Sequence, residues 1–320
     1  MRLATFALKS NREAPRLGAM LNGRMLDLAC ADQALARELR LSGEPIPASL
    51  KRLLGQGEAG LDRARRLLQH AASDPARLPV AALIDSSAIA FLPLIPDPDK
   101  FLCVGKNYRT HLAELKKNDL IREMPEEPTG FVKVTSCLTG HDTDVVRPPS
   151  VTHLDYEPEL VFVIGKHAYG AKRDAAFDCV AGITLLNDLT CRDTQKREVA
   201  SGSRFWTAKN APGFGPLGPC LITMDEVGDP YDIWVTCSVN GEQRMRVNTR
   251  EQIWKLPDII EHFSRLLPLE PGDMFSTGAP GGVAVGKANA ADLFLKPGDI
   301  VECAFEKPAM VLRNRIVAPH

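Results

Sequence analysis

Asp155-Tyr156-Glu157-Pro158-Glu159-Leu160-Val161-Phe162-Val163-Ile164-Gly165 is the stretch from which the rest of the chain can be read. Leu160–Ile164 is a short apolar run closed by a glycine, the pattern of a strand. Residues two apart on a strand share a face, so Glu157 and Glu159 would present two carboxylates side by side at its entrance. Two bare carboxylates so placed repel each other, and burying either without a partner is costly. A hard divalent cation removes the conflict by accepting their oxygens. The plainer alternative is a solvated acidic edge strand, with which Pro158 is compatible.

Downstream, Gly182-Ile183-Thr184-Leu185-Leu186-Asn187-Asp188 is a second apolar run that ends in a carboxylate. A third acid from a separate strand suits Mg²⁺, which keeps positions open for water or substrate. Alone, Asp188 would serve equally well in a turn or as a helix N-cap. Upstream, His111 and Glu114 lie three apart in Asn107-Tyr108-Arg109-Thr110-His111-Leu112-Ala113-Glu114. On a helical turn the two are neighbours, so Glu114 can orient and polarise the imidazole, or the two form an ordinary helix pair. Lys133 and Lys209 are single cations in uncharged surroundings; each belongs either to a site or to a core edge from which it snorkels.

Around these segments the texture is β-rich from Lys100 onward. Phe101–Val104, Leu160–Ile164, Gly182–Leu186, Trp234–Val239 and Ile300–Phe305 predict strands, and Thr110–Lys117, Asp174–Phe177 and Leu256–Leu267 predict helical segments. The mixture points to a β-dominated α+β fold over a doubly wound βαβ sheet. Residues 1–28 predict two or three short strands with a hairpin turn at Asn22-Gly23. Helical spacing follows to about Ser73, carried by Leu50, Leu53, Leu54, Leu61, Ala64 and Leu67. Pro79, Pro93, Pro96 and Pro98 then predict a linker. The expected division is a small module over 1–95 and a catalytic domain over 96–320.

The 320 residues, 44% of them hydrophobic, are enough to bury a substantial core. A formal net charge of -1 gives no electrostatic footprint for nucleic acid or for an anionic membrane surface. An acidic substrate would therefore need a local cationic pocket. The eight cysteines are scattered without a CxxC pair, mostly in apolar runs, which fits a reducing compartment. The first residues read as a strand without signal-peptide features, and no apolar run approaches the roughly 20 residues of a membrane span. The expected location is the cytoplasm.

Taken in order, these pieces resemble the fumarylacetoacetate hydrolase family. The likeness runs from about Phe101 to Val317 and rests on Cys103–Tyr108, Asp155–Gly165, Asn187–Gln195, Pro216–Pro219, Val239–Glu242, Pro271–Asp273 and Thr277–Pro280. Residues 1–95 also resemble the small N-terminal α/β module of many bacterial members. The resemblance implies a mixed β-roll or barrel-like catalytic domain. It also implies Glu157, Glu159 and Asp188 as ligands of Mg²⁺, or of Mn²⁺ or Ca²⁺. His111 and Glu114 match a water-activating dyad, with Lys209 as a third catalytic group. Lys133, Gln195, Arg192, Thr277 and Gly278 match positions around the substrate, with Arg192 also a structural partner of the acid cluster, and a homodimer is implied. Departures at Asn210–Phe214, Ala279 and Gly281-Gly282 bear on substrate identity and leave the metal set untouched.

The implied activity is metal-dependent hydrolysis of a C–C bond in a small 1,3-dicarbonyl acid of the acylpyruvate or fumarylacetoacetate type. An alternative on the same site is a decarboxylase, isomerase or hydratase of a 2-oxo acid in aromatic catabolism, since each passes through a related anion. An alternative of another class is a non-catalytic binding protein on the same fold.

Overall fold

A computed structural model describes residues 1–117, 125–203 and 205–319. At its centre lies the strand Pro158–Ile164, buried at every position. It runs antiparallel to Val180–Asn187 on one side and to Met274–Ser276 on the other, so it is no solvated edge. Pro158 is tolerated as the strand's first residue. Leu160, Phe162 and Ile164 enter one hydrophobic core, while Val161 and Val163 enter another. A strand covered on both faces has no polar side to show, which is why it reads as an unbroken apolar run.

Twelve strands make the main sheet. Its order is Leu83–Asp85, Arg24–Asp27, Asn11–Leu21, Arg2–Leu8, Gly215–Thr223, Val180–Asn187, Pro158–Ile164, Met274–Ser276, Phe101–Gly105 and Thr129–Val132, with Ile89–Phe91 and Leu138–Thr139 pairing alongside. Among the described residues no pairing joins the two ends. The fold is the expected strand-dominated mixture of strands and helices, but the barrel is not closed. The expected linker is corrected in part: Leu83–Asp85 and Ile89–Phe91 are strands that pair with Arg24–Asp27 and Arg2–Leu8. Three-residue strands are too short to carry a hydrophobic period, so prolines dominated that stretch.

Each face of the sheet has its own cover. Five strands, Glu242–Asn248, Trp234–Val239, Ile300–Phe305, Met310–Val317 and Asp144–Val146, form a second sheet. Its Val235, Cys237, Val301 and Phe305 share a core with Phe162 and Leu185. On the opposite face, Leu53, Leu54 and Leu67 of the helices Leu50–Gly55 and Gly57–Ser73 pack with Val161 and Leu186. Truncating one such buried leucine to alanine costs about 2–5 kcal/mol. The Asn22-Gly23 turn forms as expected: φ is 48° and 77° there, and Leu21 pairs with Arg24. Among the described residues no helix is long and apolar enough to cross a membrane.

Candidate metal centre and active site

The site forms where the central strand pair begins and ends. Pro158 pairs with Asn187, so Glu157 and Asp188 flank the same register position. The N–H of Asp188 donates to the Glu157 carbonyl at 2.8 Å, and the N–H of Glu157 donates to Asn187 Oδ1 at 3.0 Å. Glu159 follows two residues along the strand. Ligand oxygens of Glu157, Glu159 and Asp188 all lie within 4.8 Å of one another, and all three side chains are buried.

Three buried cations answer this charge. Lys209 Nζ donates to Glu157 Oε2, to Asp188 Oδ2 and, at 2.8 Å, to Thr190 Oγ1. Lys133 Nζ donates to Asp188 Oδ1 at 2.7 Å and to the carbonyls of Lys209 and Phe214. Arg192 Nη2 lies 2.6 Å from Glu157 Oε1 and 2.8 Å from Asp155 Oδ2. Counting Asp155, four buried acids face three buried cations. Burial alone would raise the Glu157 carboxyl, but Lys209, Arg192 and His111 outweigh it and hold it well below the usual range. Burial would likewise strip the proton from Lys209, yet Asp188, Glu157 and Glu159 keep its ammonium firmly charged.

Glu159 is placed differently. It receives the Ser276 hydroxyl, while the ion pairs of Lys209 run to Glu157 and Asp188. Burial, and then the neighbouring charge of Asp188, push its carboxyl well above the usual value. A cation held among the three acids would supply the positive charge that Glu159 lacks. The donor set is all carboxylate oxygen, which fits a hard ion such as Mg²⁺, Mn²⁺ or Ca²⁺ better than a thiolate- or imidazole-seeking metal.

Above the acids opens a cavity of about 510 Å³, its mouth included. Lys106, His111, Glu157, Glu159, Gln195 and Lys209 form its polar lining. His111 comes from the helix Arg109–Lys117, and its Nδ1 sits 3.3 Å from Glu114 Oε2. Glu114 Oε1 in turn accepts the N–H of Gly282 at 2.7 Å. Opposite, Phe131 and Phe205 meet edge to face at 5.3 Å, and the Lys209 ammonium lies 5.3 Å from the Phe131 ring.

Some residues expected at the substrate do not line this cavity. Lys133 and Arg192 are absent from the cavity lining; Lys133 bonds Asp188, and Arg192 bonds Asp155 and Gln195 and forms an ion pair with Glu157. Thr277 turns its hydroxyl to the Leu160 carbonyl at 3.0 Å, leaving Ala279 to line the cavity. Gly278 holds φ at 90°, and a Cβ there would come within 2.6 Å of the Val104 carbonyl oxygen. Sequence reasoning missed four residues. Lys106 lines the cavity from a left-handed backbone (φ 61°), Ser276 bonds Glu159, and Phe131 and Phe205 form the aromatic wall. An unusual φ leaves no mark on a lysine in the sequence, whereas Asp155 stood at the head of the decisive motif without a role.

The fumarylacetoacetate (FAA) hydrolase C-terminal model matches residues 100–317. Among curated relatives, the human mitochondrial oxaloacetate tautomerase FAHD2A is 37% identical over 272 residues, which are 85% of this chain and 81% of that protein. The oxaloacetate tautomerase YisK of Bacillus subtilis is 34% identical over 295 residues, 92% and 93% of the two chains. Among solved structures, the fumarylacetoacetate hydrolase of Exiguobacterium antarcticum superposes with a TM-score of 0.75 at 26% identity, covering 100% of both chains.

Proposed function

The chain belongs to the fumarylacetoacetate hydrolase family of enzymes, and on that premise we propose that it is a tautomerase of a small 2-oxo dicarboxylic acid of the oxaloacetate type. The observation that carries the proposal is the likeness to oxaloacetate tautomerases along nearly the whole chain, joined to a cavity that holds a cationic group and a histidine above three acids. Glu157, Glu159 and Asp188 would hold the divalent ion, Mg²⁺, Mn²⁺ or Ca²⁺, which when bound supplies Lewis-acid polarisation of substrate oxygens.

Tautomerisation moves one proton between carbon 3 and the 2-oxo oxygen, so it needs a proton carrier near one and positive charge near the other. His111 suits the carrier's part: Glu114 engages Nδ1 and leaves Nε2 to exchange the proton. Lys209 suits the second part, because its ammonium is held charged at the cavity wall, where it would stabilise negative charge developing on a substrate oxygen. Gln195 gives its Oε1 to Arg192, which orients its amide nitrogen as a donor for a substrate oxygen. Lys106 stands at the same cavity to meet a carboxylate. We include a cytoplasmic homodimer in the proposal, and sedimentation tests its oligomeric part.

Hydrolysis of an acylpyruvate is the second reading, favoured by the ability of the His111–Glu114 pair to take a proton from water. Two assays with Mg²⁺ or Mn²⁺ present separate them: ketonisation of enol-oxaloacetate, and cleavage of an acylpyruvate. The proposal expects faster ketonisation than in enzyme-free buffer. Acylpyruvate cleavage without acceleration of ketonisation would replace it with the hydrolase.

A further inference from the structure

Asp155 lies outside the cavity lining, yet it is fully buried. Its Oδ1 accepts the N–H groups of Tyr156 and Ala284, each at 2.9 Å. Its Oδ2 accepts the N–H of Val285 at 3.0 Å and Arg192 Nε at 2.8 Å. The carboxylate therefore has one hand on the arginine that braces Glu157 and the other on the backbone of the turn Ala284–Gly286. That turn follows Gly282, whose N–H holds Glu114, and Glu114 holds His111. The turn also packs against Glu114 directly, since a Cβ on Gly286 would come within 2.5 Å of Glu114 Cδ.

We propose that Asp155 is a positioning residue that couples the three-acid cation site to the His111–Glu114 pair through Arg192 and the 282–286 turn. The coupling rests on the cation-site part of the proposed function and not on which reaction follows. The physical reason is that Arg192 divides one positive charge between Asp155 and Glu157. Whatever changes the charge that Glu157 carries changes the pull of Arg192 on Asp155, and with it the anchor of the turn. Conversely, removing the Asp155 charge leaves the whole guanidinium charge to bear on Glu157, against any incoming cation.

The test uses Asp155→Asn and Ala284→Pro in the full chain. Ala284 is the first residue of its turn, and Val283 before it is extended (φ -62°, ψ 157°), so a proline fits and removes only the N–H given to Asp155. Mn²⁺ affinity is read by calorimetry, and amide hydrogen exchange over 109–117 and 281–286 is read with and without Mn²⁺. Wild type is expected to gain protection in both segments on adding the ion. Asp155→Asn should bind Mn²⁺ about tenfold more weakly, which is ~1.4 kcal/mol. Asp155→Asn should lose the ion-dependent gain, and Ala284→Pro, which keeps the Val285 contact, should reduce it, while Pro158–Ile164 and Val180–Asn187 stay protected. Ion binding by wild type with an equal exchange response in all three proteins would overturn the coupling alone. Failure of wild type to bind Mn²⁺ would overturn the cation site and the coupling together.

Discussion

Glu157 and Asp188 are joined through the backbone as well as through charge: the Asp188 N–H donates to the Glu157 carbonyl at 2.8 Å. Two of the three converging carboxylates thus sit on the residues that immediately flank the paired ends of two central strands. Rigid strands can hold repelling acids together because the surrounding pairings and both cores stabilise that register.

Glu157 and Glu159 are both ligand candidates, yet replacing each by glutamine should have opposite effects on the fold. Glu157 is held ionised by Lys209 and Arg192, so Glu157→Gln leaves two buried cations short of a partner and should cost about 3–5 kcal/mol. Glu159 is pushed toward its protonated form, which glutamine imitates, so Glu159→Gln should leave the melting temperature equal or higher. Both should weaken Mn²⁺ binding at least about tenfold, which is ~1.4 kcal/mol. Thermal melts and calorimetric titration check the pair; equal destabilisation by both would show that the charges are distributed otherwise.

Lys133 is fully buried, and its three donors are satisfied by Asp188 and two carbonyls. Lys133→Met fills the same space without charge and leaves Asp188 short of one partner. Urea unfolding should show a loss of about 3–5 kcal/mol. A loss below ~1 kcal/mol would mean that Lys209 alone satisfies Asp188.

His141 carries the pH dependence most open to a clean test. Its Nδ1 accepts the N–H of Arg313 at 3.1 Å, and its ring packs edge-on against Phe91. Burial, aided by the Arg313 charge and opposed by Asp142 and Glu302, lowers its pKa below the ordinary 6.5. The folded state therefore disfavours the proton. The stability His141 contributes is complete above pH 6.5 and is lost as pH falls through the lower folded-state pKa. Melting temperatures of wild type and His141→Gln, compared from pH 8 down to 5, should diverge below the first value as wild type falls faster. Parallel curves would remove His141 as the cause.

How much of this could be read from the chain depends on how local each cause is. One-faced burial writes itself into alternation, so Trp234–Val239 and Ile300–Phe305, buried at every second residue, appear at the expected residues. Helices were placed but not always ended correctly: Leu256–Ser264 stops short of the expected Leu267, and Asp174–Phe177 lies within a 3₁₀ segment, Arg173–Cys179. The acids at 157, 159 and 188 were legible as candidates because unpaired carboxylates next to apolar strands demand an explanation. The placement of Lys133 was not, because its partners are set by distant segments. Whether a lysine faces a substrate or braces an aspartate depends on contacts that cross the sheet.

His111 and Glu114 supply the sharpest test of which reaction the site performs. If His111 carries the proton in tautomerisation, His111→Ala should lower enol-oxaloacetate ketonisation by about 10²–10⁴-fold with Mn²⁺ affinity unchanged. Glu114→Gln keeps an acceptor for the Gly282 N–H but removes the charge that orients the imidazole, so its loss should be smaller and should fall on kcat more than on KM. Both variants should be assayed on oxaloacetate and on an acylpyruvate. Retained ketonisation in His111→Ala would assign the proton transfer to another group at the cavity. Loss of acylpyruvate cleavage alone would show that the pair serves hydrolysis and that tautomerisation proceeds without it.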